Sequence, residues 1–196
     1  RQPYIITKKD KLFKALEKPL NIFKVLPQTE VSQDVLGSTK SVLLVGSHRI
    51  GASIIQAMNH DKNKLIVIDH NPEVTKGLTK QKIANVYGDI MSPDILNNIN
   101  IKKLKLVICT LPGLKENMSL LKRIGKENPR ARIILNAQRI SEAKELYAKG
   151  ADYVTMPKVI AGKEIANLIT KGTKSRLRRE KKEHLKYLED IHKVIY

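Results

Sequence analysis

The sequence predicts a doubly wound α/β domain: a mainly parallel sheet of six strands with helices on both faces, extended by an N-terminal linker helix and a charged C-terminal helix. Three observations carry this. From Lys40 onward, short apolar runs bounded by turn residues alternate with stretches of helical period. The runs are continuously apolar rather than alternating, as in strands covered on both faces. The first run opens directly into a glycine turn and a helix, the start of a Rossmann-like unit.

Residues 41–45 (SVLLV) form the first strand, and 49–59 follow with Ile50, Ile54, Ile55 and Met58 at helical spacing. Residues 64–69 (KLIVID) are the second strand. Asn71-Pro72 then supplies a cap and a first-turn proline for a helix to about Leu78. The third strand is 83–87, and Ser92-Pro93-Asp94 starts a further helix by the same device. Residues 104–110 are the fourth strand, 114–125 a helix, 131–136 the fifth strand, and 141–149 a helix closed by Gly150. The sixth strand is 152–155. Met156-Pro157 breaks it, and 159–169 is again apolar at helical spacing.

The flanks read differently. Residues 9–26 place Leu12, Phe13, Leu16, Leu20, Phe23 and Leu26 on a rough helical face interrupted at Pro19, and 27–39 form a polar linker. Residues 173–195 are highly charged, with Leu177, Leu185, Leu188, Ile191 and Ile195 recurring every three to four. That pattern suits a solvated helix docked by one edge, or a dimerising or membrane-facing element. The chain divides into 1–38, 39–170 and 171–196. Because it begins with Arg1, it reads as a piece of a longer polypeptide.

Composition narrows the function. With 41% hydrophobic residues in 196, the chain can form a packed core, and no apolar run approaches a bilayer span. The single Cys109 lies in an apolar stretch and reads as a small buried hydrophobe in a reducing compartment. The five histidines lack zinc-site spacing. The net charge of +18 is shared as +3, +10 and +5 among the three segments. With two Phe, six Tyr and no Trp there are few stacking platforms and no recognition module, so no nucleic-acid partner is expected.

Gly46-Ser47-His48-Arg49-Ile50-Gly51 occupies the place of a G-x-G-x-x-G fingerprint, with Asp69 at the end of the next strand 23 residues past Gly46. His48 stands where the second glycine lets a pyrophosphate approach, although the helix N-terminus still suits one phosphate. The fold either binds a nucleotide here or keeps an empty site. Asp69 either accepts two ribose hydroxyls, favouring NAD, AMP, ADP or ATP over NADP, or caps the next helix. Asp89, after Gly88, either accepts from an adenine amino group or caps the Ser92 region. Arg49 either pairs with a phosphate or stays solvated. Thr110-Leu111 sits at the rim of the same crevice. Catalytic constellations are missing: the one Y-x-x-x-K match, Tyr4 to Lys8, precedes the fold, and the Asn117-Met118-Ser119 sequon is incidental.

The ordered set VLLVGSHRIG, VIDHNPE, VYGDIMSPDIL, LKLVICTLPGLKENMSLLK and AKELYAKGADYVTMPKVIAGKEIANLI, spanning 41–169, resembles the RCK domains. These are also called TrkA-N domains, and they regulate potassium channels and cation transporters. The Gly-Asp-x-x-x-Pro-x-x-Leu turn and the Gly-Ala-Asp-x-Val-x-x-Pro ending are the more specific signatures. The glycine-containing helix after that ending looks most like the cytosolic tail of Kef-like cation:proton antiporters.

The resemblance implies a non-enzymatic homodimer that binds AMP, ADP, ATP or NAD(H) and transmits the bound state to a transmembrane antiporter domain of the same polypeptide, at the cytoplasmic face of the cell membrane. Residues 9–26 would join the two parts. It places the phosphate loop at Gly46, Ser47, His48, Arg49, Ile50 and Gly51. The nucleoside side falls to Asp69, His70, Asp89 and Ile90, with Thr110 and Leu111 beside the nucleotide. His48 favours a mononucleotide over NAD. The alternatives are a soluble NAD-dependent oxidoreductase, or an RCK subunit of a potassium channel or Trk-type uptake system.

Overall fold

A computed structural model describes residues 40–195. The N-terminal segment with its amphipathic stretch lies outside the described residues.

Six parallel strands form one sheet in the order β3-β2-β1-β4-β5-β6. They are β1 (Val42–Val45), β2 (Leu65–Asp69), β3 (Ala84–Tyr87), β4 (Leu106–Cys109), β5 (Arg132–Asn136) and β6 (Tyr153–Thr155). The helices are α1 (Arg49–Ala57), α2 (Pro72–Lys80), α3 (Leu114–Glu127), α4 (Ile140–Ala148), α5 (Pro157–Lys171) and α6 (Lys174–Ile195).

The continuous apolar runs are explained by two separate core layers. Leu43 and Val45 of β1 face one side with Ile66, Ile68, Val107 and Leu135, against Leu120, Leu121 and Ile124 of α3 and Leu146 of α4. Val42 and Leu44 face the other side with Leu65 and Val67, against Ile55 of α1 and Leu78 of α2. Both residues of a neighbouring pair are therefore buried, each removal from water contributing about 1.5–3 kcal/mol. Right-handed crossovers place successive helices on opposite faces only if the strand order reverses. The reversal falls between β1, paired with both β2 and β4, and the later strands. It opens a crevice at the carboxyl ends of β1 and β4.

One expected helix is absent. From Asp89 to Leu104 the chain runs through successive three-residue turns and two single 3-10 turns, Leu96–Asn98 and Ile101–Lys103. Asn97, Asn98 and Asn100 favour local bonds over helix, and the Asn98 amide donates to the Asp94 carbonyl at 3.0 Å. Ile90, Ile95, Leu96, Ile99, Ile101 and Leu104 are nevertheless all buried, so the segment packs like a helix without being one.

The last two helices depart from the core. α5 begins at Pro157, in the favoured first-turn position, and leaves Val159, Ile160, Ile165 and Ile169 exposed. α6 packs along α1 and reaches α2, but Leu177, Leu185 and Leu188, the apolar edge expected to dock, are exposed. No helix among the described residues is long and apolar enough to cross a membrane.

Candidate functional site

The crevice is built around the end of β1. Gly46 adopts φ +84°, and a Cβ there would lie 2.5 Å from Thr110 Oγ1, so only glycine makes the turn. At Gly51 a Cβ would overlap the Gly46 carbonyl, which fixes how closely α1 approaches the turn. Thr110 Oγ1 donates to the Val45 and Gly46 carbonyls at 3.1 and 3.0 Å and clamps the loop to β4.

Asp69 is more committed than its place at a strand end suggests. Its Oδ2 accepts from Ser47 N–H at 2.8 Å and from Ser47 Oγ at 2.7 Å, and its Oδ1 accepts from Asn71 N–H at 2.9 Å. The residue is only 8% exposed. Two lone-pair sites per oxygen leave one acceptor position, on Oδ1. Neither expected reading describes this fully: Asp69 ties the glycine loop to the start of α2 and has room for one hydroxyl, unless Ser47 yields its place. His70 lies beside it, with Nδ1 3.8 Å from Oδ1, and is largely exposed.

His48 has φ −63°, a conformation open to any residue, so the missing second glycine produces no strain. Its side chain makes no cap to α1, and the first turn of α1 holds no acid. Arg49 and Ile50 follow it at the surface. Asp89 is exposed, accepts from Met91 N–H at 2.9 Å, the local capping role, and lines the crevice. Ile90 puts its side chain into the core and contributes only to the wall of a small recess over Gly46 and Asp69.

Two cavities share the crevice. One, of about 610 Å³, is lined by His70, Tyr87, Gly88, Asp89, Leu111 and Glu116 among others. The second, of about 460 Å³, is lined by His48, Arg49, Ile50, Thr110, Gln138 and Lys158 with their neighbours. Pro112 borders both. The 110–113 loop that separates them is held by two residues not anticipated from the sequence. Asn117, fully buried, donates to the Leu111 and Gly113 carbonyls at 2.9 and 2.7 Å, and Asn136 donates to the Thr110 carbonyl at 2.9 Å. The signal for Asn117 was its place on the same helical face as Leu120, Leu121 and Ile124, where an amide needs partners. Its buried side chain serves as a loop anchor.

Cys109, at the end of β4, is 2% exposed. Burial pushes its thiol up to about 12, so it carries no thiolate near neutral pH. Among the described residues, no three His, Cys, Asp or Glu side chains are grouped to hold a metal ion.

The donor set fits an adenine nucleotide: a glycine-only turn beneath an uncapped helix start, a carboxylate with one free acceptor, and a cavity on either side. A doubly wound sheet with a glycine turn at its switch point defines a nucleotide-binding class of domain. Within that class the TrkA-N domain model matches residues 42–157, and the chain belongs to this family, also known as RCK domains.

Among sequence relatives, potassium channel protein 1 of Methanocaldococcus jannaschii is 26% identical over 128 residues, covering 64% of this chain and 38% of the channel. KefC of Cronobacter sakazakii, a glutathione-regulated potassium-efflux protein, is 25% identical over 109 residues, covering 56% of this chain and 18% of KefC. The chain thus spans less than half the length of these relatives.

Three solved proteins share the fold. The TrkA-N domain of the Escherichia coli inner membrane protein YbaL has TM-score 0.62 at 22% identity, covering 66% of this chain and 96% of that one. The Shewanella denitrificans Kef C-terminal domain in its AMP-bound form has TM-score 0.56 at 16% identity, covering 79% and 96%. GsuK, bound to ADP in one structure and to NAD in another, has TM-scores of 0.56 and 0.52 at 22% and 18% identity. The ADP structure covers 67% of this chain and 34% of that one, the NAD structure 75% and 26%.

Proposed function

We propose that this chain is the cytosolic regulatory domain of a monovalent cation:proton antiporter, a homodimer that controls transport by binding an adenine nucleotide, AMP, ADP, ATP or NAD(H). The observation that carries the reading is the crevice at the β1–β4 switch point, with the Gly46 turn, the Asp69 carboxylate and open space on both sides. Nucleotide complexes of the Kef and GsuK relatives support it.

In this account residues 39–170 hold the nucleotide and 171–196 form an accessory helix. Residues 1–38 connect the domain to a transmembrane part at the cytoplasmic face of the cell membrane. Gly46 to Gly51 receive the phosphate, Asp69 and His70 the ribose, Asp89 and the Ile90 backbone the adenine side, and Thr110 and Leu111 the wall between. The exposed apolar residues of α5 supply a surface for a second copy. Bound nucleotide favours one dimer arrangement, and the connecting segment passes that bias to the membrane part. The regulatory rather than catalytic role is supported by membership of the TrkA-N family and by the relatives, which are potassium channel and potassium-efflux proteins.

A potassium channel is the second reading, favoured by the longer match to the archaeal channel than to KefC. Reconstitution of the full-length protein separates them, since an antiporter couples potassium or sodium movement to an opposing proton flux and a channel does not.

Calorimetric titration of this chain with AMP, ADP, ATP, NAD and NADH tests the nucleotide reading. Binding of at least one, weakened in Asp69→Ala, supports it. No binding by any, with Asp69→Ala indistinguishable from wild type, removes it.

A further inference from the structure

The two cavities of the crevice differ in charge. The larger one has Asp89 and Glu116 in its wall. The smaller one has His48, Arg49 and Lys158 and no carboxylate among its lining residues. Arg49 and Lys158 take part in none of the ion pairs found among the described residues. The rest of that wall is largely apolar, including Ile50, Ala137 and Met156. A concave surface with one sign of charge and low-dielectric walls concentrates the opposite charge. Lys158 reaches this cavity from α5, more than a hundred residues along the chain from the glycine loop, so the fold itself brings the cations together.

We infer that the smaller cavity receives the phosphates beyond the first of an adenine nucleotide, and that Lys158 is the residue that ranks ATP and ADP above AMP. This rests on the nucleotide reading above. With the nucleoside in the Asp89 half and the first phosphate over the Gly46–Gly51 turn, the chain of phosphates continues past His48 and Arg49 toward α5. Each added phosphate brings negative charge to two cations that join no ion pair among the described residues, and lysine serves such groups as a point charge. AMP stops short of Lys158. NAD would place its nicotinamide ring there, cationic when oxidised, and gain nothing from the lysine. Because Val159 and Ile160 follow Lys158 and are exposed, the charge of the nucleotide acts at the base of the helix offered to a second copy.

Calorimetric titration with AMP, ADP, ATP and NAD, without divalent cations and at two salt concentrations, on the 196-residue chain and its Lys158→Ala and Lys158→Arg variants, tests this. The expected order is ATP tighter than ADP tighter than AMP, with the spread narrowing at high salt. Lys158→Ala weakens ATP by about tenfold, leaves AMP within twofold, and Lys158→Arg restores ATP. Equal binding of AMP and ATP by the wild type, or an ATP-to-AMP ratio unchanged in Lys158→Ala, overturns the inference while leaving nucleotide binding in place. NAD binding tighter than ATP and indifferent to Lys158 overturns it in favour of a nicotinamide pocket. Failure of every nucleotide to bind overturns both readings.

Discussion

The two sides of the crevice are built from the same kind of unit, a strand end turning into the next element, yet they are held in opposite ways. On the β1–β2–β3 side the polar groups satisfy one another: Asp69 binds Ser47 twice and Asn71 once, and Asp89 caps its own turn. On the β4–β5–β6 side the buried amides of Asn117 and Asn136 hold backbone carbonyls of the dividing loop, while Lys158 from α5 and Arg49 from the facing start of α1 line open space. The first side is a closed scaffold with one acceptor left over. The second carries Arg49 and Lys158, which join no ion pair among the described residues, and a charged ligand gains most there.

Breaking the scaffold at its tightest point has the largest effect. Gly51→Ala forces a methyl group against the Gly46 carbonyl and is expected to cost about 3 kcal/mol. It should show as a clear fall in the thermal midpoint, and an unchanged midpoint would mean that α1 can shift without cost. Asp69→Ala leaves the buried Ser47 N–H and hydroxyl without an acceptor and is expected to lower stability by about 2 kcal/mol in denaturant titration, in addition to weakening nucleotide. A purely ligand-facing Asp69 would lose binding and keep its stability. Asn117→Leu should cost about 1–3 kcal/mol and loosen the 110–113 loop, read as faster amide exchange there while β2 and β3 stay protected.

The smallest effect concerns Cys109. Its thiol is raised in the folded state relative to an exposed one, so the folded chain holds the proton more tightly. The associated stability is fully present below the ordinary thiol range and is lost as pH rises from there toward about 12. Cys109→Ala should flatten that alkaline decline slightly, and native Cys109 should resist alkylation at neutral pH.

Much of this was legible in the sequence, for reasons that differ by residue. The strands declared themselves because burial on both faces demands unbroken apolar runs such as SVLLV and KLIVID. The Gly46 turn and Asp69 were found because a strand, a glycine and a helix in that order leave few other solutions. The 92–104 segment misled because Ser92-Pro93 is a sound helix start, while Asn97 and Asn98 make side-chain bonds back to Asp94 that period alone does not reveal. The Ser47–Asp69 lock and the Asn117 anchor were hidden for the same reason: a sequence gives the type of a polar residue and not its partner. Lys158 was hidden because its place in the crevice depends on how β6 and α5 return to the switch point.

The central claim is that an adenine nucleotide lies across the crevice with its nucleoside on the closed side and its phosphates on the open one. The most direct measurement is an amide chemical-shift map of the ¹⁵N-labelled chain with added ADP. The account predicts shifts at Ser47, Arg49, Ile50, Gly88 and Asp89 and, through the further phosphate, at Lys158. Shifts confined to α6 and the outer face of α5, or no shifts at saturating ADP, would contradict it.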